Sequence, residues 1–172
     1  MMRMTKEDHA MTEHLDAIDL LLRDHRVMRT IAEQLDAADN PTQIRGLFLL
    51  LVEQLAAHEA VEQQLIFPAF RASLEGASDD TLEHRMGEHE ELNELLAEMR
   101  CLAPDGFAFT KRASAFVLEI EEHFRREEET VFMRMRKSFS TDQLAELGDR
   151  ALEVRQHSPA FPDDHPCIAA DQ

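Results

Sequence analysis

His58-Glu59-Ala60-Val61-Glu62 and His123-Phe124-Arg125-Arg126-Glu127 each set a histidine four residues ahead of a glutamate. On a helix a four-residue step turns about 400°, which leaves the two side chains about 40° apart and one turn, roughly 6 Å, along the axis. One imidazole and one carboxylate then face the same place. A single such pair is common on a charged helix. Its weight here comes from its occurring twice and from the helices around it.

Those surroundings read as helix almost throughout. The 172 residues suit one domain, and a 44% hydrophobic content is enough for a core. Only 5 Gly and 6 Pro interrupt the sequence, so propensity favours helix over sheet. From Thr12, read as an N-cap, Leu15, Ile18, Leu21, His25, Met28, Ala32 and Leu35 recur at three- and four-residue steps. Asn40-Pro41-Thr42-Gln43 ends this helix and opens the next, with Asn40 as cap, Pro41 at the first helical position and Gln43 placed for a capping box. The second stripe runs Leu47, Phe48, Leu51, Leu55, His58, Glu62, Leu65, Ile66, and Pro68 is placed to kink its end.

A turn at residues 76–80 leads to a third stripe of Leu82, Met86, His89, Leu92, Leu96 and Met99. After Ala103-Pro104-Asp105-Gly106, a fourth aligns Phe116, Ile120, His123, Glu127 and Val131 and runs to about Lys137. Ser140 and Gln143 are spaced as a second capping box, for a short helix through about Gln156. The expected fold is all-α, an up-down-up-down four-helix bundle over 12–137. A short additional C-terminal helix and an irregular tail fill 138–172.

The halves of the bundle match. His25 to His58 is 33 residues and His89 to His123 is 34; Asp24-His25 parallels Glu88-His89; Phe67 and Phe132 each lie five residues beyond the paired glutamate. This pattern predicts an internal two-fold repeat of a helical hairpin. It also puts His25, His58, Glu62, His89, His123 and Glu127 on core-facing stripes of all four helices. An unpaired ionised carboxylate in the interior costs several kcal/mol or more. Two of them at matching depth need a cation, and neutral imidazoles with carboxylates suit iron, zinc or manganese.

The rest of the composition excludes other roles. A formal net charge of −17 leaves no basic stripe for nucleic acid and disfavours anionic membrane surfaces. No stretch approaches the roughly 20 apolar residues of a membrane span, and the opening residues carry no signal-peptide core, so a cytoplasmic location is expected. Cys101 and Cys167 form no Cys-x-x-Cys pair and read as reduced thiols. A ferritin-like bundle would need Glu-x-x-His and a zincin His-Glu-x-x-His; neither occurs. In the tail, His157, His165 and Cys167 are a possible stray-metal set, with Pro-rich disorder the preferred reading.

The pattern H…HxxxE…H…HxxxE, carried by His25, His58, Glu62, His89, His123 and Glu127, resembles the hemerythrin-like, or HHE cation-binding, family over roughly residues 12 to 137. The resemblance implies a bundle holding a non-haem di-iron centre with an oxo or hydroxo bridge. Each histidine would bind iron through a ring nitrogen, and Glu62 and Glu127 would bridge the two irons. Hemerythrin proper adds a fifth histidine, usually four residues before the third-helix ligand, where this chain has Arg85. His84 stands five residues from His89, about 140° around a helix, and reads as a surface or rim residue. Glu128 reads as the solvated side of an acidic run, and Phe67 and Phe132 as candidate walls of the site.

With the fifth histidine missing, both irons keep an exchangeable position, which favours reactions with peroxide or NO over simple reversible O₂ carriage. The leading expectation is a protein that binds or processes O₂, NO or hydrogen peroxide. The alternatives are an iron- or oxygen-responsive sensor without turnover, and a purely structural bundle.

Overall fold

The computed structural model describes residues 15–74 and 80–157. Seven α-helical segments account for almost all of them: α1 (Ala17–Ala37), α2 (Pro41–Val61), α3 (Phe67–Ser73), α4 (Asp80–Arg100), α5 (Phe107–Glu127), α6 (Met133–Ser138) and α7 (Thr141–His157). A π-helical turn, Glu62–Ile66, joins α2 to α3, and another, Glu128–Phe132, joins α5 to α6. The bundle therefore has four long helices, the second and fourth each carrying a π-turn, and α7 is the expected additional helix. The described residues contain no strand.

Local chemistry explains most boundaries. Asn40 Oδ1 accepts the Gln43 amide at 2.8 Å with Pro41 at the start of α2. The Gln43 side chain returns to the Asn40 side-chain amide at 3.0 Å rather than to its backbone, so this capping box is only half built. At Ser140 both halves form: Ser140 Oγ accepts from Gln143 N at 3.3 Å, and Gln143 Oε1 accepts from Ser140 N at 2.9 Å. The first helix differs from expectation. It begins at Ala17, capped by Asp16, whose carboxylate accepts the Asp19 amide at 2.9 Å; Thr12 lies outside the described residues. So do the 76–79 part of the expected turn and the 158–172 tail, including His165 and Cys167.

The π-turn does not require a proline. The helix continues through Pro68 to Ser73, and the same turn recurs at Glu128–Phe132, where no proline stands. In the first, the Phe67 amide reaches the Glu62 carbonyl five residues back. Five residues on an α-helix would swing Phe67 about 140° away from Glu62. The extra residue in the turn cancels most of that offset and returns Phe67, and likewise Phe132, to the face of the paired glutamate.

The apolar core is divided in two. One cluster gathers Ile18, Leu21, Val61, Ile66, Phe70, Val131 and Met135 with Leu144, Leu147 and Ala151 of α7. The other holds Met28, Phe48, Leu51, Leu55, Leu96, Phe116, Ile120 and Phe124. Between them lies one polar layer. Met86 departs from the expected core face and is 47% exposed.

Candidate metal centre

All six expected residues meet in that layer. His25, His58, Glu62 and Glu127 are fully buried, and His89 and His123 are 1% exposed. The histidines form two pairs: His25 Nε2 lies 3.1 Å from His58 Nε2, and His89 Nε2 lies 3.1 Å from His123 Nε2. Two nitrogens bound to one cation at about 2.1 Å and a right angle would stand about 3 Å apart, so each pair has the spacing of neighbouring ligands.

The carboxylates lie between the pairs. Glu127 turns Oε2 toward His25 Nε2 at 3.5 Å and Oε1 toward His123 Nε2 at 3.2 Å. Glu62 Oε2 stands 3.4 Å from His58 Nε2 and 3.3 Å from His89 Nε2. These are ion-pair distances without hydrogen-bond geometry, and all four carboxylate oxygens are buried without a hydrogen-bond partner. Interior oxygens are rarely left so. The donor atoms fall into two sets, Glu62-His89-His123-Glu127 and His25-His58-Glu127, each within 4.8 Å. A cation in each set would take up the orphaned oxygens, so the residues fit two metal ions that share Glu127.

Each imidazole turns its other nitrogen outward. Glu128 Oε1 accepts from His25 Nδ1 at 2.8 Å, and Glu88 Oε2 accepts from His123 Nδ1 at 2.8 Å. Asp24 Oδ2 stands 3.6 Å from His58 Nδ1, a charge contact rather than a hydrogen bond. The Gln63 side-chain amide lies 3.4 Å from His89 Nδ1. Such outer partners fix the tautomer and orientation of a metal-binding histidine. They obey the internal repeat: Asp24 and Glu88 precede the histidines of α1 and α4, and Gln63 and Glu128 follow the two buried glutamates. Glu128 is therefore no solvated residue of an acidic run. Its side chain is 29% exposed and braced by Arg29 at 3.0 Å, because the π-turn begins there.

Charges in the centre are strongly mutual. Burial works against a protonated His58, but the Glu62 and Glu127 carboxylates and Asp24 overcome it and raise its pKa to about 10. Burial likewise opposes charge on His89, and Glu127 and Glu62 hold its pKa well above the ordinary value. Burial favours a neutral Glu127, yet His123 and the other imidazoles hold it well below the usual carboxylate range. Asp24 is pushed up by burial and brought below its ordinary value by His58 and Arg155. Glu128 is lowered chiefly by the His25 hydrogen bond.

Neighbouring residues close the layer. Phe132 and Phe67 sit 5.4 Å from the His25 ring and 5.6 Å from the His89 ring, centroid to centroid. Phe124 stacks on His25 at 3.9 Å, a contact that periodicity had not singled out. Arg85, where a fifth histidine would stand, is buried and pairs with Glu88 at 2.7 Å. His84 is exposed and outside both donor sets. His157 ends α7, with Nδ1 donating to the Glu153 carbonyl at 2.7 Å. No described helix is long and apolar enough to cross a membrane.

Comparisons with known proteins agree with this arrangement. A hemerythrin HHE cation binding domain-containing protein from Mycobacterium kansasii superposes with a TM-score of 0.71 at 19% identity, over 84% of this chain and 87% of that one. A DNA nickase of Nostoc sp. is 26% identical over 125 residues, 73% of this chain; the chain spans about a third, 35%, of that relative's length. The profile of the Hemerythrin HHE cation binding domain matches residues 16–135. With that match over most of its length, and a buried layer of histidines and glutamates between two apolar clusters, the chain belongs to the hemerythrin HHE cation-binding family.

Proposed function

We propose that the chain holds two iron ions and uses them to bind or process a small oxidant, O₂, NO or hydrogen peroxide. His25 and His58 would ligate one ion, His89 and His123 the other, with Glu62 and Glu127 between them. The observation that carries this reading is the set of four buried, partnerless carboxylate oxygens between two histidine pairs. Nitrogen and carboxylate donors suit iron, and an iron pair held there would supply electrons to, or a coordination position for, the oxidant. The protein's own part is to hold the ligand rings rigid through Asp24, Glu88, Glu128 and Gln63. The two apolar clusters close the layer above and below.

Arg85 ties itself to Glu88 and adds no imidazole, so neither ion is saturated by protein. That favours consumption of peroxide or NO over reversible O₂ carriage. Anaerobic reconstitution with Fe(II) is expected to give about two irons per chain, followed by peroxide loss or NO uptake. Substoichiometric iron with unchanged thermal stability counts against the metal reading. A stable, reversible oxygen adduct with negligible peroxide turnover counts against the reactive one.

A second reading, a sensor without turnover, is favoured by one contact. Arg155 of α7 binds the Asp24 carboxylate that faces His58, which links the centre to the helix outside the bundle. The nicking activity of the Nostoc relative is not carried over, since this chain spans only part of that protein and carries a net charge of −17. The division into 12–137 and 138–172 and the cytoplasmic location remain parts of this proposal.

A further inference from the structure

The internal repeat makes the two ends of the centre directly comparable. Residues of α1 correspond to those 64 positions later in α4, and residues of α2 and α3 to those 65 positions later in α5 and α6. The ligands and their outer partners obey the correspondence, as do Phe67 with Phe132 and Arg71 with Arg136, whereas Phe124 and Arg29, which cover the His25 end, have no like counterpart.

At the His25 end the seam between α1 and the fourth long helix is sealed. Phe124 stacks on His25 with an interplanar angle of 14°. The Arg29 guanidinium lies 5.6 Å from the Phe124 ring and donates to Glu121 at 2.7 Å and Glu128 at 3.0 Å. Lower down, Arg136 of α6 reaches Asp16 at 3.1 Å and Asp19 at 2.6 Å. The ring stacked on His25 and the guanidinium over that ring accompany an imidazole that is fully buried.

At the His89 end the counterpart of Phe124 is Glu59, and the counterpart of Arg29 is Asn93. The Asn93 amide is spent on Glu59 Oε2 at 3.0 Å, and its short side chain cannot span the seam as Arg29 does. An open pocket of about 720 Å³ occupies this place, lined by Gln63, Phe67, Arg71, Met86, His89 and Asn93 among others. Its volume lies in the range of small-molecule sites and far exceeds the roughly 30 Å³ share of one water. Met86 is exposed because it stands at this mouth. His89 itself forms part of the wall.

We propose that small exogenous ligands reach the centre from the His89 side, through the seam between α3 and α4, and not from the His25 side. The inference rests on the two-metal reading above. The His89–His123 position then receives the incoming molecule, with the Gln63 side chain and the unpartnered Asn93 Oδ1 as the polar groups beside it. The His25–His58 position is the closed partner.

Azide, a three-atom anion that binds ferric iron, serves as the probe once the iron-loaded chain has been oxidised. Ala72→Phe and Met86→Trp crowd the pocket at two exposed positions, so neither disturbs the core. Each variant is expected to retain about two irons per chain while azide association slows at least tenfold by stopped flow. Leu118→Trp, on an exposed face of α5, is the control with an unchanged rate. Full iron loading with parental azide rates in both plugged variants overturns the proposal and leaves the metal reading intact. A parent chain that takes up no iron overturns both.

Discussion

Glu128 accepts a hydrogen bond from the His25 ring at 2.8 Å, across 103 residues of sequence. The contact ties the start of the second π-turn to the first helix and fixes Nε2 of His25 as the nitrogen that faces Glu127. Replacement by glutamine keeps an acceptor and removes the charge. Glu128→Gln is expected to weaken metal binding by about tenfold, within the usual range for an outer partner. Chelator competition measures this, and an unchanged affinity would reduce Glu128 to a surface residue.

Gln63 is the matching position, and it is the one outer partner that carries no charge. Gln63→Glu places a carboxylate against His89 Nδ1, as Asp24, Glu88 and Glu128 serve the other rings. A more basic ring binds metal more tightly, so the variant is expected to tighten the weaker of the two metal-binding steps several-fold. Calorimetric titration of both steps decides it. A weakened second step would mean that added negative charge near Glu62 outweighs the gain.

The six central residues were legible because helical periodicity and a repeated spacing act on single helices. Contacts between helices were not. Asp24 and Glu88 were visible as a repeat, but which ring each one meets depends on how the helices pair. Glu128 was misread for a different reason: a uniform 3.6-residue helix puts it off the site, and no residue between 123 and 132 announces a π-turn. Met86 lies on the correct stripe, yet its burial depends on the width of a seam that Asn93 and Glu59 leave open. The start of the first helix shifted because Asp16 caps it with a local hydrogen bond, which outranks the apolar Leu15 just before it.

His58→Ala and His123→Ala each remove one nitrogen from a pair and the axial neighbour of a buried glutamate. Each is expected to lose most of the bound iron. His84→Ala, exposed and outside both donor sets, is expected to keep about as much iron as the parent chain. Metal analysis of the three purified variants checks the assignment, and loss of iron in the His84 variant would contradict it.

Arg155 binds the Asp24 carboxylate, which is largely buried beside His58. Arg155→Ala strips that carboxylate of its strongest cation while leaving it inside the protein. A loss of roughly 1–3 kcal/mol is expected, the cost of an interior polar group left short of a partner. The sensor reading adds a separate outcome: metal binding should change amide exchange in α7 of the parent chain and not in the variant. Equal exchange with and without metal in both proteins would remove α7 as an output.

Gly148 sits inside α7 where that helix crosses the start of the first. In an ordinary helix interior, alanine in place of glycine stabilises by about 1 kcal/mol, because glycine loses more backbone freedom on folding. Here a Cβ would stand 2.5 Å from the Leu15 carbonyl oxygen and 3.1 Å from the Ala17 amide nitrogen. Both are backbone atoms at the capped end of α1, so no flexible side chain can turn aside. Relief requires α7 to move away from α1, which separates Leu144, Leu147 and Ala151 from Ile18 and Leu21 in one apolar cluster. Overpacking of this kind costs typically about 1–3 kcal/mol, which exceeds the propensity gain. Gly148→Ala is therefore expected to lower Tm by several degrees, at roughly 2–4 °C per kcal/mol for a chain of this size. The six central histidines and glutamates lie in another layer, so iron content should hold at low temperature. A rise in Tm would mean that α7 does not press on the start of α1 as the structure has it.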